Sequence, residues 1–336
     1  MGTTFNIPEY ELVIEIARGS YGQVWLARNV LGTWRAVKIV QRSLFEDARP
    51  YQREFNGIRH YEAISRGHDG LIDVLHVGRN ENDGYFYYVM ELADDQVVGQ
   101  RIQTADYTAR TLQSEMSARG PLPAEECIDL GAQLADALDY LHQNGLVHRD
   151  IKPSNIVFIN GQPKLADIGL VAGSGMSSFS TGTLGFLPSE GTGGPDADVY
   201  ALGKVLYEIS TGKDRTAFPD LPATARGLSG REKLMQLNPL LLRACAHADD
   251  DRFESAGNFA DALRSLNAPS AFAGPFNWRE RRLIAVAAAL GLLLVLSDAL
   301  LIYVGTREPT EQTITAKPPT PPAMEAPLQG KYESGD

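Results

Sequence analysis

Residues 148–155 read "HRDIKPSN" and lie between an apolar helical run and the apolar "IVFI". Charge gathered where the chain enters a core needs a reason, because an unpaired buried charge is costly. Chemistry supplies one. Asp150 can orient an attacking hydroxyl and accept its proton. Asn155, five residues on, offers an amide oxygen, a hard ligand suited to Mg²⁺. Lys152 is a point charge for a phosphoryl group in transfer. Twelve residues after Asn155, Asp167 in "LADIGL" adds a carboxylate that completes a metal site. A capped, paired turn accounts for His-Arg-Asp alone. It does not account for Lys152, Asn155 and an Asp-x-Gly at this distance.

The upstream half holds what such chemistry still lacks. Gly19 and Gly22 in "ARGSYGQV" separate two strand-like runs, where small residues let backbone N–H groups approach phosphates. Taken alone, that turn is better explained by an ordinary hairpin. Lys38 interrupts the apolar "AVKIV" and must place its ammonium somewhere. Glu54 on the following helix is its expected partner over the nucleotide phosphates, and Glu62, two turns on, is the alternative.

These residues need elements to hold them. "YELVIEIA", "QVWLARNV" and "WRAVKIV" predict three strands, and Pro50 can open a helix through "YQREFNGIRHYEAI". "LIDVLHV" and "YFYYVMEL" predict two more strands around the hairpin "NENDG". After Leu92 the pattern turns helical, most clearly over 124–143. Strands first and helices later imply an α+β chain of two lobes, a small β-rich one and a larger helical one.

The 336 residues, with 43% hydrophobic and 22% charged, suit a sizeable core. The formal net charge of −11 argues against a nucleic-acid partner. Cys127 and Cys245 lie far apart in apolar helical contexts, as reduced core thiols would. No His and Cys spacing suggests a metal cage. The first residues lack a secretory pattern, and Asn6 stands where a myristoylation signal needs Ser or Thr. No Walker loop is present, since Gly203-Lys204 and Gly212-Lys213 are not followed by Ser or Thr.

The set as a whole resembles the eukaryotic-type (Hanks-type) serine/threonine protein kinases, in their bacterial membrane-anchored form. The resemblance runs from about residue 10 to 266 and implies the two-lobed kinase fold, with ATP and Mg²⁺ as cofactors and Mn²⁺ as a substitute metal. It implies that Lys38 contacts the phosphates and pairs with Glu54, that Asp150 is the catalytic base, and that Asn155 and Asp167 hold the metal. Lys152 resembles the serine/threonine rather than the tyrosine enzymes. In "MELA", Met90 resembles a gatekeeper, and the backbone of Glu91 and Ala93 faces adenine. Ala17, Gly19, Gly22, Val24 and Ala36 complete the implied nucleotide site. "GTLGFLPSE" resembles the end of an activation segment, with Thr183 in a substrate-docking loop and Glu190 paired to Arg252. Asp198 in "DVYALG" resembles the aspartate that braces the catalytic loop.

Three positions depart from the family pattern. Ala17 replaces a loop glycine, Ile168 a phenylalanine, and "PSE" the usual A-P-E. Residues 93–122 form a long connection that the resemblance leaves without a role. A pseudokinase scaffold and a small-molecule phosphotransferase are the rival readings. The filled catalytic positions speak against the first, and Lys152, Glu190 and Arg252, which belong to protein-substrate docking, against the second.

The kinase part is expected over residues 8–267, followed by a linker over 268–282. Residues 283–304, "LIAVAAALGLLLVLSDALLIYV", are almost unbroken apolar sequence. Twenty-two residues at about 1.5 Å each reach roughly 33 Å, against a hydrocarbon core of about 30 Å. A single-pass transmembrane helix in contact with membrane lipid is the expectation. Arg279, Arg281 and Arg282 before it place the kinase part in the cytoplasm, and the Pro-rich, disordered tail over 305–336 outside. Ala287, Gly291 and Asp298 share one face, which suggests a homodimer through this helix.

Overall fold

The computed structural model of the protein describes residues 5–19, 22–168, 185–186, 193–222, 228–248 and 251–267. Five strands form one antiparallel sheet in the order β1-β2-β3-β5-β4: β1 (Tyr10–Gly19), β2 (Gly22–Asn29), β3 (Trp34–Gln41), β4 (Val74–Asn80) and β5 (Tyr85–Met90). Successive side chains on a strand face opposite ways. On β3 this puts Val37 and Ile39 into an outer cluster with Phe5, Ile7, Tyr85 and Tyr87. Ala36 and Val40 face the main core, and Lys38 lies between them on that same face. The register seats Lys38 opposite Tyr88, and Ala36 opposite Met90.

Helix α1 (Ala48–Ser65) packs its Tyr51, Glu54, Ile58, Tyr61 and Ser65 face inward, at the 3- and 4-residue spacing of an amphipathic helix. It starts two residues before Pro50, because Asp47 caps it by accepting the Arg49 N–H at 3.2 Å. Glu54 therefore sits on the buried stripe, whereas Glu62 is outside it and pairs with Arg66 at 3.0 Å.

Helices α2 (Leu112–Arg119) and α3 (Ala124–Gln143) lead to the hairpin of β6 (Ile156–Ile159) and β7 (Gln162–Leu165). Helices α4 (Pro195–Thr211), α5 (Leu228–Ala244) and α6 (Ala256–Asn267) complete the second lobe. Most of α4 is buried, and it packs on α3 closely enough that a Cβ at Gly131 would meet Leu206 Cδ1 at 2.7 Å. The expected two-lobed order is thus observed. Among the described residues no helix is long and apolar enough to cross a membrane, and segment 283–304 lies outside them.

Candidate active site

The loop over 148–155 connects α3 to β6, and its shape is imposed from below. Asp198, 1% exposed in the first turn of α4, accepts from the His148 N–H and the Arg149 N–H, each at 2.7 Å. His142 Nε2 lies 2.9 Å from the same carboxylate. Arg149 has φ +66°, a left-handed backbone unfavourable for a residue with a Cβ, and these bonds hold it there. Asp198 therefore braces the loop as the resemblance implies.

The loop's functional side chains meet above that brace. Asp150 Oδ2 accepts from Lys152 Nζ at 2.7 Å and from Asn155 Nδ2 at 2.7 Å. Asn155 Nδ2 also donates to the Asp150 carbonyl at 2.9 Å. Both of these bonds use the Asn155 amide nitrogen, which leaves its amide oxygen outside them. The Ala166 N–H donates to the Asn155 carbonyl at 2.9 Å, which ties the residue before Asp167 to this loop. Asp167 itself adopts φ +55°.

The sheet delivers the cation. Lys38 Nζ lies 2.9 Å from Asp167 Oδ1. Burial pulls the Lys38 ammonium down, but Asp167, Tyr88 and Glu54 outweigh it and hold the group well above its ordinary value. Lys38 in turn holds the Asp167 carboxyl below the usual range, against the opposing effect of burial. Glu54 is 6% exposed, its Oε2 has no hydrogen-bond partner among the described residues, and it makes no ion pair with Lys38. Burial pushes its carboxyl up to about 7, opposed by Lys38. The expected Lys38–Glu54 pair is thus replaced by Lys38–Asp167, although Glu54 is the buried acid facing this site. Lys152, expected as a point charge for a phosphoryl group, is engaged by Asp150.

The positions expected to face nucleotide resolve differently. Val24 lies opposite Lys38, and Ala17 opposite Val24. A Cβ at Gly22 would meet the Ile39 carbonyl oxygen at 2.3 Å, so its missing side chain is required by strand packing. At Gly19 a Cβ would meet nothing within 4 Å, which leaves open space beside that backbone. Met90 ends β5 and is 6% exposed. The Glu91 N–H donates to the Asp73 carbonyl at 3.1 Å, whereas the Glu91 carbonyl and the Ala93 N–H have no hydrogen-bond partner among the described residues. The strand-linking segment thus presents one free acceptor and one free donor.

Reading the sequence missed two groups around that segment. Lys164 of β7 lies 2.6 Å from Glu91 Oε2, which also accepts from the Asp73 N–H at 3.0 Å. Tyr107, in the long connection, donates to the Ala93 carbonyl at 3.0 Å. Neither carries a local signal: one is a strand lysine, the other a loop tyrosine.

Thr183 and Glu190 lie outside the described residues. Arg252 is 2% exposed and pairs with Asp196 at 3.0 Å.

The residues fit a divalent metal. Asp167 and the Asn155 amide oxygen are hard ligands from adjacent loops, and Mg²⁺ is commonly held by one or two protein oxygens together with substrate phosphates. Among the described residues no cluster of three His, Cys, Asp or Glu offers a rival site.

Comparison with known proteins agrees with this geometry. Residues 10–255 match the protein kinase domain family. The serine/threonine-protein kinase PknB of Mycobacterium leprae is 29% identical over 281 residues, covering 76% of this chain and 42% of that protein. PknA of Mycobacterium tuberculosis is 30% identical over 292 residues, covering 77% of this chain and 61% of that protein. The chain thus spans less than two thirds of the length of these relatives. The crystal structure of the Mycobacterium tuberculosis PknI kinase domain superposes with a TM-score of 0.55 at 25% identity, covering 80% of this chain and 100% of that one.

Proposed function

The chain belongs to the protein kinase domain family, and from that premise we propose that it transfers the γ-phosphoryl group of ATP to serine and threonine hydroxyls of proteins, itself included. The observation that carries the reading is Asp150, whose carboxylate is fixed by Lys152 and Asn155 beside the oxygen ligands Asn155 and Asp167.

ATP fits the site at both ends. Adenine offers a donor at N6 and an acceptor at N1, matching the free Glu91 carbonyl and Ala93 N–H. Lys38 supplies positive charge where the phosphates would lie. A divalent metal, Mg²⁺ or Mn²⁺, held by Asn155 and Asp167 would neutralise charge on those phosphates.

The transfer then follows from the loop. The acceptor hydroxyl donates a hydrogen bond to Asp150, which aligns its oxygen with the γ-phosphorus. A new P–O bond forms there as the bond to the ADP oxygen breaks, and the hydroxyl proton passes to Asp150. Lys152, already 2.7 Å from that carboxylate, is placed to neutralise the transferring group. Asp198 fixes the loop so that none of these groups must reorganise during the step.

Membrane anchoring is part of the proposal. It is supported by the length of the apolar segment 283–304 and by the arginines before it. A single pass would leave residues 8–267 in the cytoplasm, with ATP, beside the lipid surface.

The test is incubation of the protein with Mg²⁺, γ-labelled ATP and a generic protein acceptor, followed by mapping of phosphorylated residues. Phosphate on serine and threonine that depends on Asp150 supports the reading. ATP binding without transfer to any protein would leave a nucleotide-binding scaffold in its place.

A further inference from the structure

The long connection over 93–122 is a folded device with a definite target. Asp95, 4% exposed, is its organising residue. One carboxylate oxygen accepts from the Val97 N–H at 2.8 Å and the Val98 N–H at 2.9 Å, and the other from the Thr108 N–H at 3.1 Å. The Gln96 N–H donates to the Thr108 carbonyl at 2.8 Å, so the two limbs of the loop are joined. Asp94 anchors the start by accepting from the N–H groups of Asn160 and Gly161, at 3.0 and 2.8 Å. A carboxylate satisfied by several backbone N–H groups is a rigid support.

Tyr107, next to Thr108, is what this support holds. It is 7% exposed, and its hydroxyl donates to the Ala93 carbonyl. Three backbone groups line this edge of the nucleotide site. The Glu91 carbonyl and the Ala93 N–H are open among the described residues, and the Ala93 carbonyl is engaged by Tyr107.

Adenine asks for two of the three. Its N6 amine needs an acceptor and its N1 a donor, while its C2 carries only a C–H. A purine with an amine at C2 would need the third group, an acceptor beside the Ala93 N–H. We propose that Tyr107 is a specificity-determining residue, which engages that acceptor and so favours purines with a bare C2. The inference rests on the nucleotide reading above. A carbonyl oxygen can accept twice, so the discrimination is several-fold rather than absolute. The ordinary alternative, a tyrosine that merely pins the loop, predicts no change in base preference when the hydroxyl is removed.

The experiment measures equilibrium binding of ATP and of 2-aminoadenosine triphosphate to the full chain. Tyr107→Phe keeps the buried ring and removes only the donor, and Tyr107→Leu serves as a second variant lacking it. Both variants are expected to shift relative affinity toward the 2-amino nucleotide by about 3- to 10-fold compared with wild type, the worth of one net hydrogen bond. The same affinity ratio in wild type and variants, with ATP still bound, overturns the inference alone. Failure of wild type to bind ATP overturns the nucleotide reading, and the inference with it.

Discussion

Lys38 Nζ lies 2.9 Å from Asp167 Oδ1, although the two are 129 residues apart, while Glu54 is buried without an ion pair among the described residues. One cation thus serves two acids, and it sits with the one expected to hold metal. The unpaired acid bears the consequence.

Glu54 is raised from 4.5 to about 7 by burial. Between those values the native state holds a proton that the unfolded chain has released. Stability from this group is therefore full below about pH 4.5 and is lost as pH rises through 7. The shift corresponds to roughly 3 kcal/mol. Without nucleotide, the stability of wild type relative to Glu54→Gln should fall by about that amount between pH 4.5 and 8, measured by denaturant unfolding. Parallel profiles for the two proteins would show that Glu54 does not titrate in this window.

Asp150→Asn should lower phosphoryl transfer by about 10²- to 10⁴-fold, the range of a lost general base. ATP affinity should stay within a few-fold of wild type, because the proposed mechanism sets Asp150 against the acceptor rather than the nucleotide. Single-turnover transfer and equilibrium binding, measured on one preparation, separate the two effects. Transfer near the wild-type rate would remove Asp150 from the mechanism.

Asp198→Ala leaves the buried His148 N–H and the Arg149 N–H without their acceptor. Each unsatisfied buried donor costs about 1–3 kcal/mol. The expected loss is about 2–5 kcal/mol in urea unfolding, together with loss of transfer as the loop relaxes. A variant as stable as wild type would mean that another group braces the loop.

Legibility in the sequence tracked how local each signal was. Asp150, Lys152 and Asn155 share one eight-residue loop, so their spacing already implied their meeting. The five strands were readable because β3 and β5 alternate or run apolar, and the 124–143 helix because its apolar period is long. Lys38 announced itself by interrupting an apolar strand. Glu54 could be placed on the buried stripe of α1 only once the helix phase was known, and its lack of a partner depends on Asp167, which folds in from another lobe. Gly22 looked like a phosphate-loop glycine, but its constraint comes from the Ile39 carbonyl across the sheet. Lys164 and Tyr107 were silent for the same reason. Their roles lie in contacts across long separations, which no local pattern encodes.

Lys164 illustrates what such a contact should do. Its side chain is 12% exposed, its ammonium lies 2.6 Å from Glu91 Oε2, and it belongs to β7, three residues before Asp167. Glu91 Oε2 also accepts from the Asp73 N–H, so one carboxylate joins β7 to the residue before β4 and to the start of the segment proposed to face adenine. Burial, and then Glu91, push the Asp73 carboxyl up, with Lys164 opposing them. Removing the lysine leaves two neighbouring acids without their shared counter-charge. Lys164→Met should therefore displace the Glu91 backbone and raise the KM for ATP by about 3- to 10-fold, as expected for one charge-assisted hydrogen bond. The rate at saturating ATP should change less, because Asp150, Asn155 and Asp198 are untouched. Lys164→Arg keeps the charge and should recover most of the lost affinity. Steady-state kinetics over a range of ATP concentrations distinguish this outcome from a general loss of folding, which would lower the rate at every concentration and would not raise KM.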